Sequence, residues 1–182
     1  MNTKEKRPTH LPTPLANTNI RKNPYRKSLA IKELERLANE AARKKNPTIP
    51  SDYLALRKYR DDGANALTKC IIDYIRLTGG QAERISNTGR QITRYKNYVD
   101  VVGFQRNIIN THWIPGTGTN GTADISATIK GLSVKIEVKH GRDRKSEAQR
   151  AYQCQVEQAG GLYVIATSFE QFYNWYKLRF GE

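Results

Sequence analysis

Apolar positions recur at helical spacing over residues 29–45 (LAIKELERLANEAARKK), where Leu29, Ile31, Leu34, Leu37 and Ala41 form one stripe. Arg43, Lys44 and Lys45 close this helix, as suits the negative end of a helix dipole. Pro47 and Pro50 break the chain, and residues 51–60 are expected to form another short basic helix. From residue 61 the pattern becomes that of a globular domain. In ANALTKCIIDYIRLTGG, the residues Leu67, Ile71, Tyr74, Ile75 and Thr78 share a helical face, and Gly79-Gly80 is the stop signal. QAERISNTG alternates as a strand. A long connection rich in Tyr and Arg then leads to the apolar run RNIINTHWI, followed by Pro115 and a glycine-rich stretch. ADISATI and LSVKIEVKH read as two strands joined by a hairpin turn at Lys130-Gly131. SEAQRAYQCQVEQAGG predicts a helix, LYVIAT a short buried strand and FEQFYNWYKLRF a terminal amphipathic helix. The succession implies an α/β class fold, a mixed sheet flanked by helices.

Charge changes the picture at the N-terminus. The chain of 182 residues carries 31 Lys and Arg against 17 Asp and Glu, a net +14. Residues 1–60 hold 15 of the basic and 5 of the acidic residues. Residues 1–28, polar, basic and interrupted by Pro8, Pro12, Pro14 and Pro24, are expected to be a flexible arm. The division is therefore a basic N-terminal extension at 1–60 and a folded domain at 61–182. Such an excess of positive charge expects a polyanion, usually nucleic acid or an anionic membrane face, the plainer alternative being a merely soluble basic surface. The 29–45 helix fits packing and nucleic-acid contact equally. Cys70 and Cys154 form no zinc or disulfide spacing, so a reducing compartment such as the cytoplasm is expected. No apolar run suits a membrane span, and none follows the N-terminal charges as in a signal peptide.

The residues with chemistry converge on one hairpin. Asp124 stands at the start of ADISATI, and Glu137 and Lys139 lie in KIEVKHG. Strand side chains alternate, so Glu137 and Lys139 share a face while Val138 turns to the core. A turn centred on Lys130-Gly131 sets Asp124 opposite Glu137. Two carboxylates side by side repel, and a divalent cation resolves the conflict; magnesium takes one or two carboxylates, waters and a substrate phosphate. Lys139 would orient the attacking water or stabilise charge on phosphorus. The plainer alternative is a salt bridge across the strands on a solvated face. Arg84, Asn87 and Arg90 flank the first strand and suit phosphate contact or solvated surface alike. Gln149 and Gln153 lie one helical turn apart. GTGTNG (116–121) has the letters of a dinucleotide fingerprint but precedes a strand, so a flexible loop over the active site is expected. His112 and His140 lack metal-ligand spacing, and the aromatic residues of the last helix fit a core.

The stretch GTADISATIKGLSVKIEVKHGRDRKSEAQRAYQCQVEQAGGLYVIAT resembles the PD-(D/E)XK nuclease superfamily, and more closely its VRR-NUC branch, the virus-type replication-repair nucleases. Gly121 before Asp124, the Glu137-Val138-Lys139 triplet, the basic loop HGRDRK with Arg142, then Ser146, Gln149, Gly160-Gly161 and LYVIA carry the likeness, over roughly residues 64–170. The resemblance implies a restriction-endonuclease-like fold and a Mg²⁺-dependent endonuclease, a deoxyribonuclease in which Mn²⁺ can substitute. It implies Asp124, Glu137 and Lys139 as catalytic residues. Metal ligands would be Asp124, Glu137 and the carbonyl of Val138, with Gln149 and Arg142 toward nucleic acid. Branched or structured DNA is an implied substrate, and resolving a junction would need a homodimer. The likeness departs at the first helix, where a further acid is common; Ala64 or Asn65 stands there, with Asp61, Asp62, Asp73 and Glu83 as substitutes. That departure keeps a second expectation open: a non-catalytic nucleic-acid-binding or virion structural protein that retains the fold.

Overall fold

The computed structural model describes residues 25–86, 89–116, 118–141 and 143–181. Helix α1 (Leu29–Lys45) begins at Ser28, whose hydroxyl accepts the Ile31 N–H. Its buried stripe is Ala30, Ile31, Leu34 and Ala38, while Leu29 and Ala41 are exposed. The contact face is thus turned slightly from the one the leucines suggest: the small Ala30 and Ala38 allow close approach. α1 packs against α2 (Ala64–Leu77) and α4 (Phe169–Phe180), so the 29–45 helix contributes to the same core as the residues after 61.

Two expectations for the N-terminal region are corrected. Residues 25–28 are not a free arm: Tyr25 donates to Asp61 (2.7 Å), and Lys27 pairs with Glu35 (2.5 Å). Residues 1–24 lie outside the described residues. The basic helix expected at 51–60 is absent; a single 3-10 turn at Ser51–Tyr53 precedes irregular chain. The reason is tertiary. Asn39 of α1 accepts the Arg57 N–H (2.8 Å), Glu35 accepts the Tyr59 N–H (2.8 Å), and the Tyr59 hydroxyl donates to Asp73 of α2 (2.9 Å). Side chains of α1 therefore satisfy backbone groups that a helix would have bonded internally.

The main sheet has four strands in the order β1 (Gln81–Arg84), β4 (Ile125–Ile129), β5 (Leu132–Val138), β6 (Leu162–Ala166). β1, β4 and β5 are antiparallel neighbours, and β6 joins β5 in parallel through the crossover helix α3 (Glu147–Gln158). The fold is mixed α/β, a mixed sheet flanked by helices. The β4–β5 register pairs Ile125 with Ile136, so Asp124 and Glu137 are the next facing positions, as the turn predicts. Lys130 and Gly131 both take positive φ (47° and 82°), the geometry that tight hairpin turns require.

One face of the sheet is the core. Ile125, Ala127 and Ile129 of β4, with Val134, Ile136 and Val138 of β5, pack under α2. Tyr74 of α2 meets Phe169, Phe172 and Tyr176 of α4 at ring centroid distances of 5.1–6.5 Å. Each such side chain buried stabilises the fold by about 1.5–3 kcal/mol. The last helix is therefore core on its aromatic face. LYVIAT is only half-buried at four of its five strand positions.

The largest difference from expectation lies between β1 and β4. In place of a long connection, β2 (Arg90–Val99) and β3 (Gln105–Ile114) form an antiparallel hairpin, a sheet of its own with both faces open. Among the described residues, no helix is long and apolar enough to cross a membrane.

Candidate active site

The second face of β5 carries Lys135 and Glu137, with Lys139 continuing the alternation just past the strand end. α3 lies over this face, and beneath its first turn opens a cleft of about 460 Å³. Asp124, Glu137 and Lys139 all line it, so the three residues expected from sequence to act together are in one place. Asp124 is held by its Oδ2, which accepts the Val138 N–H at 2.9 Å. Val138 also lines the cleft, yet its side chain lies in the core, so its main chain is what it presents there.

The Glu137–Lys139 salt bridge of the plainer alternative is present, but it is buried rather than solvated. The two residues are 3% and 8% exposed, and their Nζ–Oε1 distance is 3.0 Å. With Thr68, they are the buried polar or charged residues among those described, and all three line this one cleft. Lys139 Nζ also donates to Gln149 Oε1 (3.0 Å) and Asp143 Oδ2 (3.3 Å). Gln149 Nε2 donates to Glu137 Oε1. Gln149 also completes the capping box of α3: its Oε1 accepts the Ser146 N–H, and its own N–H donates to the Ser146 hydroxyl. A residue of the helix's first turn thereby fixes the side chains of Glu137 and Lys139.

Burial pushes the Glu137 carboxyl above its usual range; the hydrogen bond from Lys139 opposes this, and the charge of Asp124 adds to it. Burial alone would lower Lys139, but the hydrogen bond and charge of Glu137, with Asp143 behind them, hold it above the ordinary lysine value. One atom is left over. Glu137 Oε2 is buried and has no hydrogen-bond partner among the described residues. A buried carboxylate oxygen without a partner costs several kcal/mol, on the order of 1–3 or more, and buried charges normally pair or bind metal. Two carboxylates, one of them with an orphaned oxygen, and a main-chain segment form a donor set of hard oxygens, which fits magnesium or manganese. Among the described residues there is no group of three or more His, Cys, Asp and Glu that could hold a metal ion.

The remaining expected residues divide. Arg84 lines the cleft and donates to Asn65 Oδ1 (2.9 Å). Arg90 lies outside it, at the base of the β2–β3 hairpin. Asn87 and Arg142 lie outside the described residues. Gln153 turns to Lys145 and Glu157 and is not in the cleft. Ala64 lines the cleft where a helix acid was sought. None of the four substitutes lines it: Asp61 holds Tyr25 and the Phe169 N–H, Asp62 pairs with Arg60, Asp73 binds Tyr59, and Glu83 is exposed on β1. Asp143, Arg144 and Thr68 are cleft residues that sequence reasoning does not single out. Asp143 had a signal, its place four residues after Lys139 in the basic loop.

Gly121 does not line the cleft but packs against the helix turn that carries Gln149. Its φ is +79°, and a Cβ there would stand 2.4 Å from the Ala148 carbonyl group and 2.7 Å from the Gln149 nitrogen. The glycine-rich loop therefore meets the first turn of α3 backbone to backbone. No family model matches the chain, and no curated protein is significantly similar to it.

Proposed function

We propose that the chain is a metal-dependent nuclease that hydrolyses phosphodiester bonds of DNA. Its fold is taken as restriction-endonuclease-like, of the PD-(D/E)XK superfamily and its VRR-NUC branch. The observation that carries this reading is the buried Glu137 with its unpartnered Oε2, beside Asp124 and Lys139 in a single polar cleft. Asp124, Glu137 and the Val138 carbonyl would hold Mg²⁺ or Mn²⁺. When bound, the ion would polarise a phosphoryl oxygen and make a bound water more acidic.

The chain's own residues supply the rest. Lys139 is buried and kept protonated by Glu137 and Asp143, so it offers positive charge that needs no rearrangement as negative charge grows on the phosphate. Gln149 fixes the Glu137 and Lys139 side chains by hydrogen bonds to both. Arg84 and Arg144 line the cleft and bring positive charge for the flanking phosphates. Branched DNA is the substrate proposed, and a homodimer is the form that would cut a junction on two strands.

A specific observation favours a second reading, a nucleic-acid-binding or virion structural protein without activity: α2 offers Ala64 to the cleft in place of an acid. Incubating the protein with circular, linear and branched DNA, in Mg²⁺ and then in chelator, separates the two. Chelator-sensitive cutting is expected. Binding without any cutting in Mg²⁺ or Mn²⁺ would leave the second reading.

A further inference from the structure

The β2–β3 ribbon packs on no other element to any extent and exposes nearly every side chain. Hairpins standing alone are marginal in water, so ten-residue strands kept open on both faces suggest a partner. Residues facing each other across an antiparallel pair share a face. Arg90, Arg94 and Lys96 of β2 thus lie on one face with Arg106 and His112 of β3. The other face carries no charge, from Gln91 and Trp113 at its base to Val99 and Gln105 at its far end. Neither strand contains an Asp or Glu. Arg106 pairs with Asp100 in the turn (2.9 Å), whereas the side chains of Arg90, Arg94 and Lys96 have no ion pair or hydrogen bond among the described residues. The ribbon is also rooted at the cleft. Just before it, Arg84 lines the cleft and the Ile85 N–H donates to the Asp124 carbonyl (2.8 Å); just after it, the chain runs through residues 115–123 to Asp124.

We propose that the β2–β3 ribbon is a clamp for duplex DNA, with Arg90, Arg94 and Lys96 set against backbone phosphates away from the bond that is cut. The row of cations without any acid on the same strands is complementary to a polyanion. Strands of this length reach about 34 Å, and a major groove about 12 Å wide admits a two-stranded ribbon. The proposal rests on the nuclease reading for what the cleft does. The charge of the ribbon stands apart from that reading.

The test is binding of the full chain to a duplex oligonucleotide without divalent cation, followed by fluorescence anisotropy over a range of NaCl. Wild type is compared with a triple variant, Arg90→Gln, Arg94→Gln and Lys96→Gln, and with a charge-retaining one, Arg90→Lys, Arg94→Lys and Lys96→Arg. Each phosphate that is no longer neutralised lowers the salt slope by about 0.9, so the glutamine variant should fall by about 2–3. The charge-retaining variant should keep the slope, and both should melt with wild type. An unchanged slope and affinity in the glutamine variant overturns the proposal, as does a wild type that does not bind. If, in addition, Tyr95→Ser with Ile109→Ser dissociates a dimer in sedimentation, the ribbon is a self-association arm. Plasmid cleavage in Mg²⁺ keeps the two readings apart: cutting with an unchanged slope removes only the clamp, and a lowered slope without cutting removes only the nuclease.

Discussion

The cleft beneath α3 and the β2–β3 ribbon are made from the same material, charged side chains on β-strands, and they differ in what covers them. Glu137 and Lys139 stand on a strand with the core on one side and α3 on the other. Arg94 and Lys96 stand on a ribbon that no other described element covers to any extent on either side. In the cleft Glu137 and Lys139 are in short supply of water, so each of their interactions is strong and each omission is costly. On the ribbon the same charges are solvated, weakly coupled and screened by salt. Positive charge that acts on a reacting phosphate belongs in the first setting; positive charge that gathers a substrate belongs in the second. The comparison can be broken by making either region behave like the other.

The largest effect is expected from the carboxylates. Asp124→Asn and Glu137→Gln keep the side-chain shapes and remove the charges. Each should abolish cleavage and leave duplex binding in place. A second measurement does not depend on activity. A ligand that binds only the folded state at ten times its dissociation constant stabilises it by about 1.4 kcal/mol. Mg²⁺ or Mn²⁺ should therefore raise the melting temperature of wild type and fail to raise that of either variant. Equal shifts in all three proteins would place the ion elsewhere.

Lys139 comes next. Loss of one preorganised electrostatic group costs about a hundredfold to a thousandfold in rate. Lys139→Ala should lose that much at saturating DNA. It should also melt lower, because breaking a buried pair costs about 3–5 kcal/mol. Lys139→Arg keeps the charge but brings a larger planar group into a position that is 8% exposed, so only partial rescue is expected. Rates taken well below the melting point separate the two effects. An alanine variant within threefold of wild type, far short of about a hundredfold, would make Lys139 a structural ion pair.

The sequence makes the cleft far more legible than the ribbon, for a physical reason. Alternation along a strand records burial of one face. ADISATI and LSVKIEV bury one face under α2, so their pattern and the Lys130-Gly131 turn fix the register that joins Asp124 to Glu137. RQITRYKNYV and QRNIINTHWI bury neither face and therefore carry no such record. Their turn is held by Asp100, which accepts the Val102 and Phe104 N–H groups, and by Gly103 at positive φ (89°), whose N–H donates to the Asp100 carbonyl (3.0 Å). Residues 51–60 read as helix because the partners of Arg57 and Tyr59, namely Asn39, Glu35 and Asp73, are distant in sequence. Asp143 reaches Lys139 only through the path its loop takes after β5.

A smaller effect should follow Gly121→Ala. A left-handed conformation costs a residue with a side chain about 1–2 kcal/mol, and the added methyl would press on the first turn of α3 at Ala148. Melting should fall by at least that strain. Because Gln149 sits in the displaced turn and holds Glu137 and Lys139, cleavage should fall as well. A variant that is less stable but cuts at the wild-type rate would uncouple the loop from the cleft.

The smallest effect on stability is expected from removing the ribbon altogether, and that is what sets the two regions apart. Residues 90–114 can be replaced by a short Gly-Ser linker between Gly89 and Pro115. Their strands pair with each other and pack on no other element to any extent, so the core loses almost nothing. Surface changes that touch no buried feature stay within about 0.5 kcal/mol, and the cost of closing a loop grows only slowly with its length. The excised protein should melt within a few degrees of wild type and still show the Mg²⁺-induced shift, because Asp124 is held by the Val138 N–H and not by the ribbon. Its cleavage should fall through weaker binding, seen as a higher KM with kcat kept, since interactions made equally before and during reaction act on binding alone. A large drop in melting temperature would show that the ribbon supports the fold. A fall in kcat with KM unchanged would show that it acts on the reacting phosphate, and the division between gathering and cutting would then be wrong.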